Sequence, residues 1–217
     1  MRLVAKAEKW KLAEVFKISR GSRTETELVT VTLYDGTFEG RGECMANHRY
    51  NETQESVLAC INKVDIDDQI DRQKLQTLLP ACAARNAIDC ALWDLEAKRA
   101  GKRVTELVGI DKSTTLITAF TISADTPDKM AAAAHRNSER PLLKLKISGD
   151  CDVDRVKAVR YGAPNARLIV DANEAWTEDM VEPLSKQLKA LGVEMIEQPL
   201  PKDADRALAN IPHTIPF

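Results

Sequence analysis

Aromatic residues make up only 5% of the 217-residue chain, and its three histidines, His48, His135 and His213, are isolated from one another. A zinc centre built on histidine is therefore not expected. The five cysteines (Cys44, Cys60, Cys82, Cys90 and Cys151) are odd in number, scattered, and form no C-x-x-C pair. They read as reduced, mostly buried thiols of a cytoplasmic protein, not as a disulfide framework or metal knuckle. Charge of either sign is nearly balanced, at a formal net −2, which gives no electrostatic reason for a nucleic-acid or anionic-membrane partner. No apolar run approaches the ~20 residues of a spanning helix, and the N-terminus lacks the apolar centre of a secretory signal.

What is present is an ordinary globular composition, 44% hydrophobic and 29% charged. The first ~45 residues alternate in the manner of strands, and "ELVTVTLYDGTFEGRGEC" places Asp35-Gly36 between two such runs as a type I′ hairpin signal. Helical periodicity follows in "ARNAIDCALWDLEAKRAGK", with Ile88, Leu92 and Leu95 at i, i+4, i+7 and Gly101 placed to end the helix. Beyond residue 112 the pattern becomes strand alternating with helix. Strand-like runs stand at 115–123, 141–148, 166–173 and 192–199, with helical stretches "TPDKMAAAAHR", "DCDVDRVKAVRYG" and "TEDMVEPLSKQLKALG" between them. "DADRALAN" suits one more short helix and "TIPF" the start of another strand. The expected fold class is α/β: an α+β unit over residues 1–112, then parallel βα units over 113–217.

One short run, "LLKLKIS", sets two lysines into an apolar strand. Alternation sends Leu143, Leu145 and Ile147 to one face and Lys144 and Lys146 to the other. From Lys146 to Asp171 is 25 residues and from Asp171 to Glu197 is 26, one βα unit each time. The three residues thus fall at the carboxyl ends of successive strands, where parallel α/β folds build their sites. Two carboxylates brought together repel unless a cation lies between them, and a pair of oxygen ligands suits Mg²⁺. Each residue also has an ordinary reading: a solvated strand face for the lysines, a helix cap for Asp171, a strand terminator for Glu197. Their common spacing favours a site.

At these residues the sequence resembles the enolase superfamily, in particular its muconate-lactonizing subgroup and the dipeptide epimerases of L-Ala-D/L-Glu type within it. The resemblance runs through "RGSRTE" (20–25), "HRYNE" (48–52), "AARNAIDCALWDLEAK" (83–98), "ITAFTIS" (117–123), "KLK" (144–146), "VDANEAW" (170–176) and "EQPLP" (197–201). It implies a capping domain followed by a (β/α) TIM-type barrel, of which about half is present. It further implies one Mg²⁺ on Asp171 and Glu197, Lys146 as an acid/base, and Lys144 as positive charge beside the substrate carboxylate. Thr121 and Arg23 correspond to substrate-contacting positions, Arg23 in a loop over the barrel mouth, though a plain strand threonine and a surface arginine remain alternatives. Asn173 would support the metal region. The implied reaction removes the proton α to a carboxylate of a dipeptide through an enediolate.

An eight-stranded barrel is implied, and four strands with the start of a fifth are counted. The family's third acidic metal ligand, second lysine and ammonium-binding acidic motif would all fall beyond Phe217. Epimerisation needs a base on each face, so a C-terminally truncated chain without turnover of its own is expected. Alternatives are another activity of the subgroup (cycloisomerase, N-acylamino-acid racemase, o-succinylbenzoate synthase) or a non-catalytic binding module. A homo-oligomer is compatible with either.

Overall fold

The computed structural model describes residues 1–217 except 19, 20, 68 and 111–114. The boundary expected at 112/113, and Arg20 of "RGSRTE", lie outside the described residues. The chain divides into two compact units, Met1–Leu12 with Glu25–Thr114, and Ala13–Thr24 with Thr115–Phe217.

The first unit holds most of a three-stranded sheet of order β1 (Arg2–Ile18), β2 (Gly21–Asp35), β3 (Phe38–Cys44). Four helices follow: α1 (Gln54–Ile61), α2 (Arg72–Leu78), α3 (Ala83–Ala100) and α4 (Val104–Leu107). Val29, Val31 and Leu33 alternate along β2 and are buried in one cluster with Ile88, Leu92 and Leu95 of α3, so the helical period read from the sequence is the core face. Gly101 ends α3 in the left-handed conformation, φ +61°, as expected of a C-terminal glycine. The hairpin turn differs from its expected type. Asp35 pairs with Phe38, so the turn residues are Gly36 and Thr37, and only Gly36 has positive φ (+57°). A type I′ turn needs positive φ at both, which a β-branched threonine resists.

Helix α3 lies directly on β3 because two glycines admit it. A Cβ at Gly40 would sit 2.1 Å from the Ala91 carbonyl oxygen, and one at Gly42 2.1 Å from that of Ala87. Backbone cannot yield as a side-chain tip can, so Gly42→Ala is expected to destabilise the unit by about 1–3 kcal/mol or more, read as a lowered urea midpoint.

The second unit contains β4 (Phe120–Ile122), α5 (Pro127–Arg136), β5 (Leu142–Lys146), α6 (Asp152–Gly162), β6 (Arg167–Asp171), α7 (Glu178–Ala190) and β7 (Val193–Glu197). The strands pair in parallel in the order β4-β5-β6-β7, each joined to the next by a helical crossover. Leu143, Leu145, Leu168, Val170 and Ile196 are fully buried in one cluster with Met130, Val156, Val159, Val181 and Leu188 of the helices. The run expected as a strand over 115–123 is a strand only at 120–122. Leu116 and Ile117 are 81% and 54% exposed, so no packing holds the apolar start of the run in a ladder. "DADRALAN" forms a 3₁₀ turn (Asp205–Asn210) in place of an α-helix. "TIPF" forms no regular strand, yet the Ile196 N–H donates to the Pro216 carbonyl at 3.0 Å, which lays this segment against β7. Among the described residues no helix is long and apolar enough to cross a membrane.

Candidate functional site

The parallel pairing answers what the lysine face of "LLKLKIS" meets. Lys146 pairs in register with Asp171, and Asp171 with Glu197, so the last residues of β5, β6 and β7 form one row across the sheet. In-register neighbours on parallel strands present their side chains to the same face. Lys144, two residues before Lys146, stands on that face beside Thr121 of β4, its register partner. Thr121, Lys144, Lys146, Asp171 and Glu197 therefore share one side of the sheet, opposite the leucine-rich side buried with the helices.

The four charges pair closely. Lys146 Nζ donates to Asp171 Oδ2 at 2.5 Å, and Lys144 Nζ lies 3.2 Å from the same oxygen while donating to Glu197 Oε2. The other oxygen, Asp171 Oδ1, accepts the Asn173 N–H at 2.9 Å. Asp171 is 1% exposed and Glu197 38%, so the first is a buried carboxylate and the second opens outward. Burial alone would raise the pKa of Asp171; the Lys146 ammonium, the Asn173 amide and Lys144 outweigh it and hold it below its ordinary value. Burial likewise acts to lower Lys144, but Glu197 and Asp171 prevail and hold it above its ordinary value.

The sign of each shift sets a pH window. The Asp171 contribution to stability is present above the ordinary aspartate pKa of ~3.9 and is lost as pH falls through its depressed folded value. The Lys144 contribution is present below ~10.4 and lost as pH rises through its elevated value. Chemical-denaturation curves against pH should therefore show the stability gap between the native chain and Asp171→Asn widest at neutral pH and closing below ~3.9.

The segment Ala13–Thr24 that belongs to this unit adds an aromatic ring. Lys146 Nζ lies 5.8 Å from the centroid of Phe16, and the Arg23 guanidinium 5.2 Å from the same ring. The loop position expected for Arg23 is not found: Arg23 lies within β2, which already begins at Gly21. Phe16 escaped the sequence reading altogether. Its one signal is an aromatic residue in "EVFK", a run otherwise exposed. Asn173 sits directly after the row at φ +47°, its Nδ2 donating to Gln198 Oε1 at 3.3 Å.

Among the described residues no group of three or more His, Cys, Asp or Glu side chains is placed to hold a metal ion. Two carboxylates are nevertheless so close that both contact one ammonium nitrogen, Lys144 Nζ. A pair of hard oxygen donors that already shares a positive charge fits a hard divalent cation, which would take over the counter-charge supplied by the amines.

Residues 1–109 match the mandelate racemase/muconate lactonizing enzyme N-terminal domain, and residues 129–217 the enolase C-terminal domain-like family. The chain belongs to the mandelate racemase/muconate lactonizing enzyme family of the enolase superfamily. It is 43% identical to the L-Ala-D/L-Glu epimerase of Escherichia coli K12 over 97% of this chain and 67% of that protein. It is 38% identical to the N-acetyl-D-glutamate racemase of a Pseudoalteromonas species, over 88% of this chain and 61% of that protein. Among solved structures, an enolase family member from Agrobacterium tumefaciens with homology to dipeptide epimerases superposes with a TM-score of 0.94 at 46% identity, covering 98% of this chain and 66% of that one; it holds sodium and L-Ala-L-Glu. A dipeptide epimerase from Cytophaga hutchinsonii complexed with Mg and D-Ala-L-Val has a TM-score of 0.87 at 26% identity, over 96% of this chain and 61% of that one. The chain thus spans 61–67% of the length of these relatives.

Proposed function

We propose that the second unit carries the acid–base and metal-binding part of a Mg²⁺-dependent epimerase acting on the carbon α to a carboxylate of a dipeptide. The observation that carries this reading is the in-register row Lys146–Asp171–Glu197, with Lys144 bridging the two carboxylates. Asp171 and Glu197 would hold the ion, which when bound stabilises negative charge developing on the substrate carboxylate. Lys146 is the base: its amine, once relieved of its proton, accepts the α-proton from one face of the carbon. Lys144, on the same face beside the row, would support the enediolate by preorganised electrostatic attraction. Thr121, beside Lys144, and Arg23, at the Phe16 ring, are the proposed contacts to the dipeptide, Arg23 through a carboxylate. Support comes from the names of the relatives, several of which are dipeptide epimerases.

The test joins these 217 residues to the remaining C-terminal third of the E. coli relative and follows deuterium entry at the α-carbon of L-Ala-L-Glu in D₂O. Metal-dependent exchange is expected, abolished by a chelator and restored by Mg²⁺. A folded chimaera that exchanges no dipeptide defeats the reading. Racemisation of an N-acylated glutamate is the second reading, favoured by the Pseudoalteromonas relative. It prevails if N-acetylglutamate is exchanged with the higher kcat/KM.

A further inference from the structure

Beyond the row itself, the loops after β5 and β6 meet at one buried carboxylate, Asp152, at the start of α6, and those after β4 and β7 are tied to it through Arg155 and Trp176. Asp152 Oδ1 accepts the Ser148 N–H at 3.0 Å and Oδ2 the Gly149 N–H at 2.9 Å, which pins the loop directly after Lys146. The same Oδ2 accepts the indole Nε1–H of Trp176 at 2.8 Å, from the loop that follows Asp171. Trp176 is 1% exposed, and its backbone N–H donates to the Pro199 carbonyl at 3.0 Å, in the loop that follows Glu197. Arg155 completes the set: Nη1 lies 3.2 Å from Asp152 Oδ1, and Nε donates to the Asp125 carbonyl at 2.8 Å, beyond the end of β4 and Thr121. Gly149 has φ +97° and packs against the Ala175 carbonyl oxygen so closely that a Cβ would lie 3.1 Å from it.

A buried carboxylate that takes up four donors has its lone pairs saturated and cannot itself serve as a metal ligand or base. It is far from idle as a strut. The donors come from the loop after Lys146 (Ser148 and Gly149), the loop after Asp171 (Trp176) and α6 itself (Arg155), and the Trp176 backbone adds the loop after Glu197, so Asp152 and Trp176 link the segments carrying Lys146, Asp171 and Glu197. We infer that Asp152 and Trp176 are a positioning pair that holds the Lys146–Asp171–Glu197 row in register through the loops behind it. The purpose of that register rests on the function proposed above; the mechanical role does not.

The experiment uses the 217-residue chain. Native lysines are acetylated briefly with an N-hydroxysuccinimide ester and quantified by peptide mass spectrometry, with surface lysines such as Lys9 and Lys186 as internal standards. Three variants are compared with the native chain: Asp152→Asn, Trp176→Phe, and Leu188→Ala as a control for general destabilisation in the last turn of α7. Asparagine keeps the shape but presents an NH₂ to groups that are already donors, and phenylalanine keeps the apolar bulk without the indole N–H. Labelling of Lys146 relative to the standards is expected to rise about tenfold in Asp152→Asn and Trp176→Phe and to stay near native in Leu188→Ala. Either variant suffices if the other fails to fold. Unchanged Lys146 labelling, or an equal rise in the control, overturns the inference. Mn²⁺ titration of the native chain is run alongside: absence of binding counts against the proposed function alone, since the labelling comparison needs no metal.

Discussion

Lys146→Met in the epimerase chimaera is expected to slow α-deuteration of L-Ala-L-Glu by about 10³-fold, near the middle of the range for removal of a general base. Methionine keeps the length and apolar stem of lysine, so the strand and the contact with Phe16 lose little packing. What disappears is the amine aimed at the row. The nearby Lys144 does not substitute for it, because it stands two residues back along β5, in register with Thr121 and Ile169 and not at the end of the row. Arginine at 146 should not rescue the rate, since a guanidinium stays charged across the working range. Binding of the dipeptide is expected to change much less than turnover, so the loss appears in kcat. A variant that retains within a few-fold of native exchange would remove Lys146 from the chemistry.

Asp171→Asn is expected to have the larger structural effect. Its carboxylate is 1% exposed and meets both ammonium groups, so neutralising it strands Lys146 without a counter-charge and leaves Lys144 with Glu197 alone. Breaking a buried pair in this way costs about 3–5 kcal/mol. Divalent-ion binding should fall below detection in the same variant, because one of the two oxygen ligands becomes an amide. Glu197→Gln separates the two consequences. At 38% exposure its charge matters less to folding, so it should lose the ion while keeping most of the stability. If Asp171→Asn and Glu197→Gln both bind Mg²⁺ as the native chain does, the ion lies elsewhere.

The row was legible because its spacing is set by a repeating unit. A strand, a helix and their turns fill the 25 or 26 residues between Lys146, Asp171 and Glu197, and the same unit brings them together in space. The core face of α3 was legible for the same reason, a fixed period acting on Ile88, Leu92 and Leu95. Features made by tertiary contact alone were not. Phe16 reaches Lys146 from 130 residues away in sequence, across no repeat that could announce it. The Asp152–Trp176 bond links a helix start to a loop and looks, in sequence, like an ordinary N-terminal acid followed later by an ordinary buried aromatic. The apolar run at 115–119 misled in the opposite direction, since β propensity without a packing partner makes no strand. The hairpin turn was displaced by one residue because strand register, which pairs Asp35 with Phe38, overrode the local Asp-Gly preference.

Two carboxylates on neighbouring strands, with a lysine beside them, are proposed to share a single divalent cation. Crystals soaked in Mn²⁺ and measured at an energy where manganese scatters anomalously test it directly. One strong anomalous peak is expected within about 2.0–2.4 Å of an oxygen of Asp171 and of Glu197, with the Lys144 amine withdrawn from both. A peak away from these two side chains, or none at concentrations that support exchange in the chimaera, would contradict it.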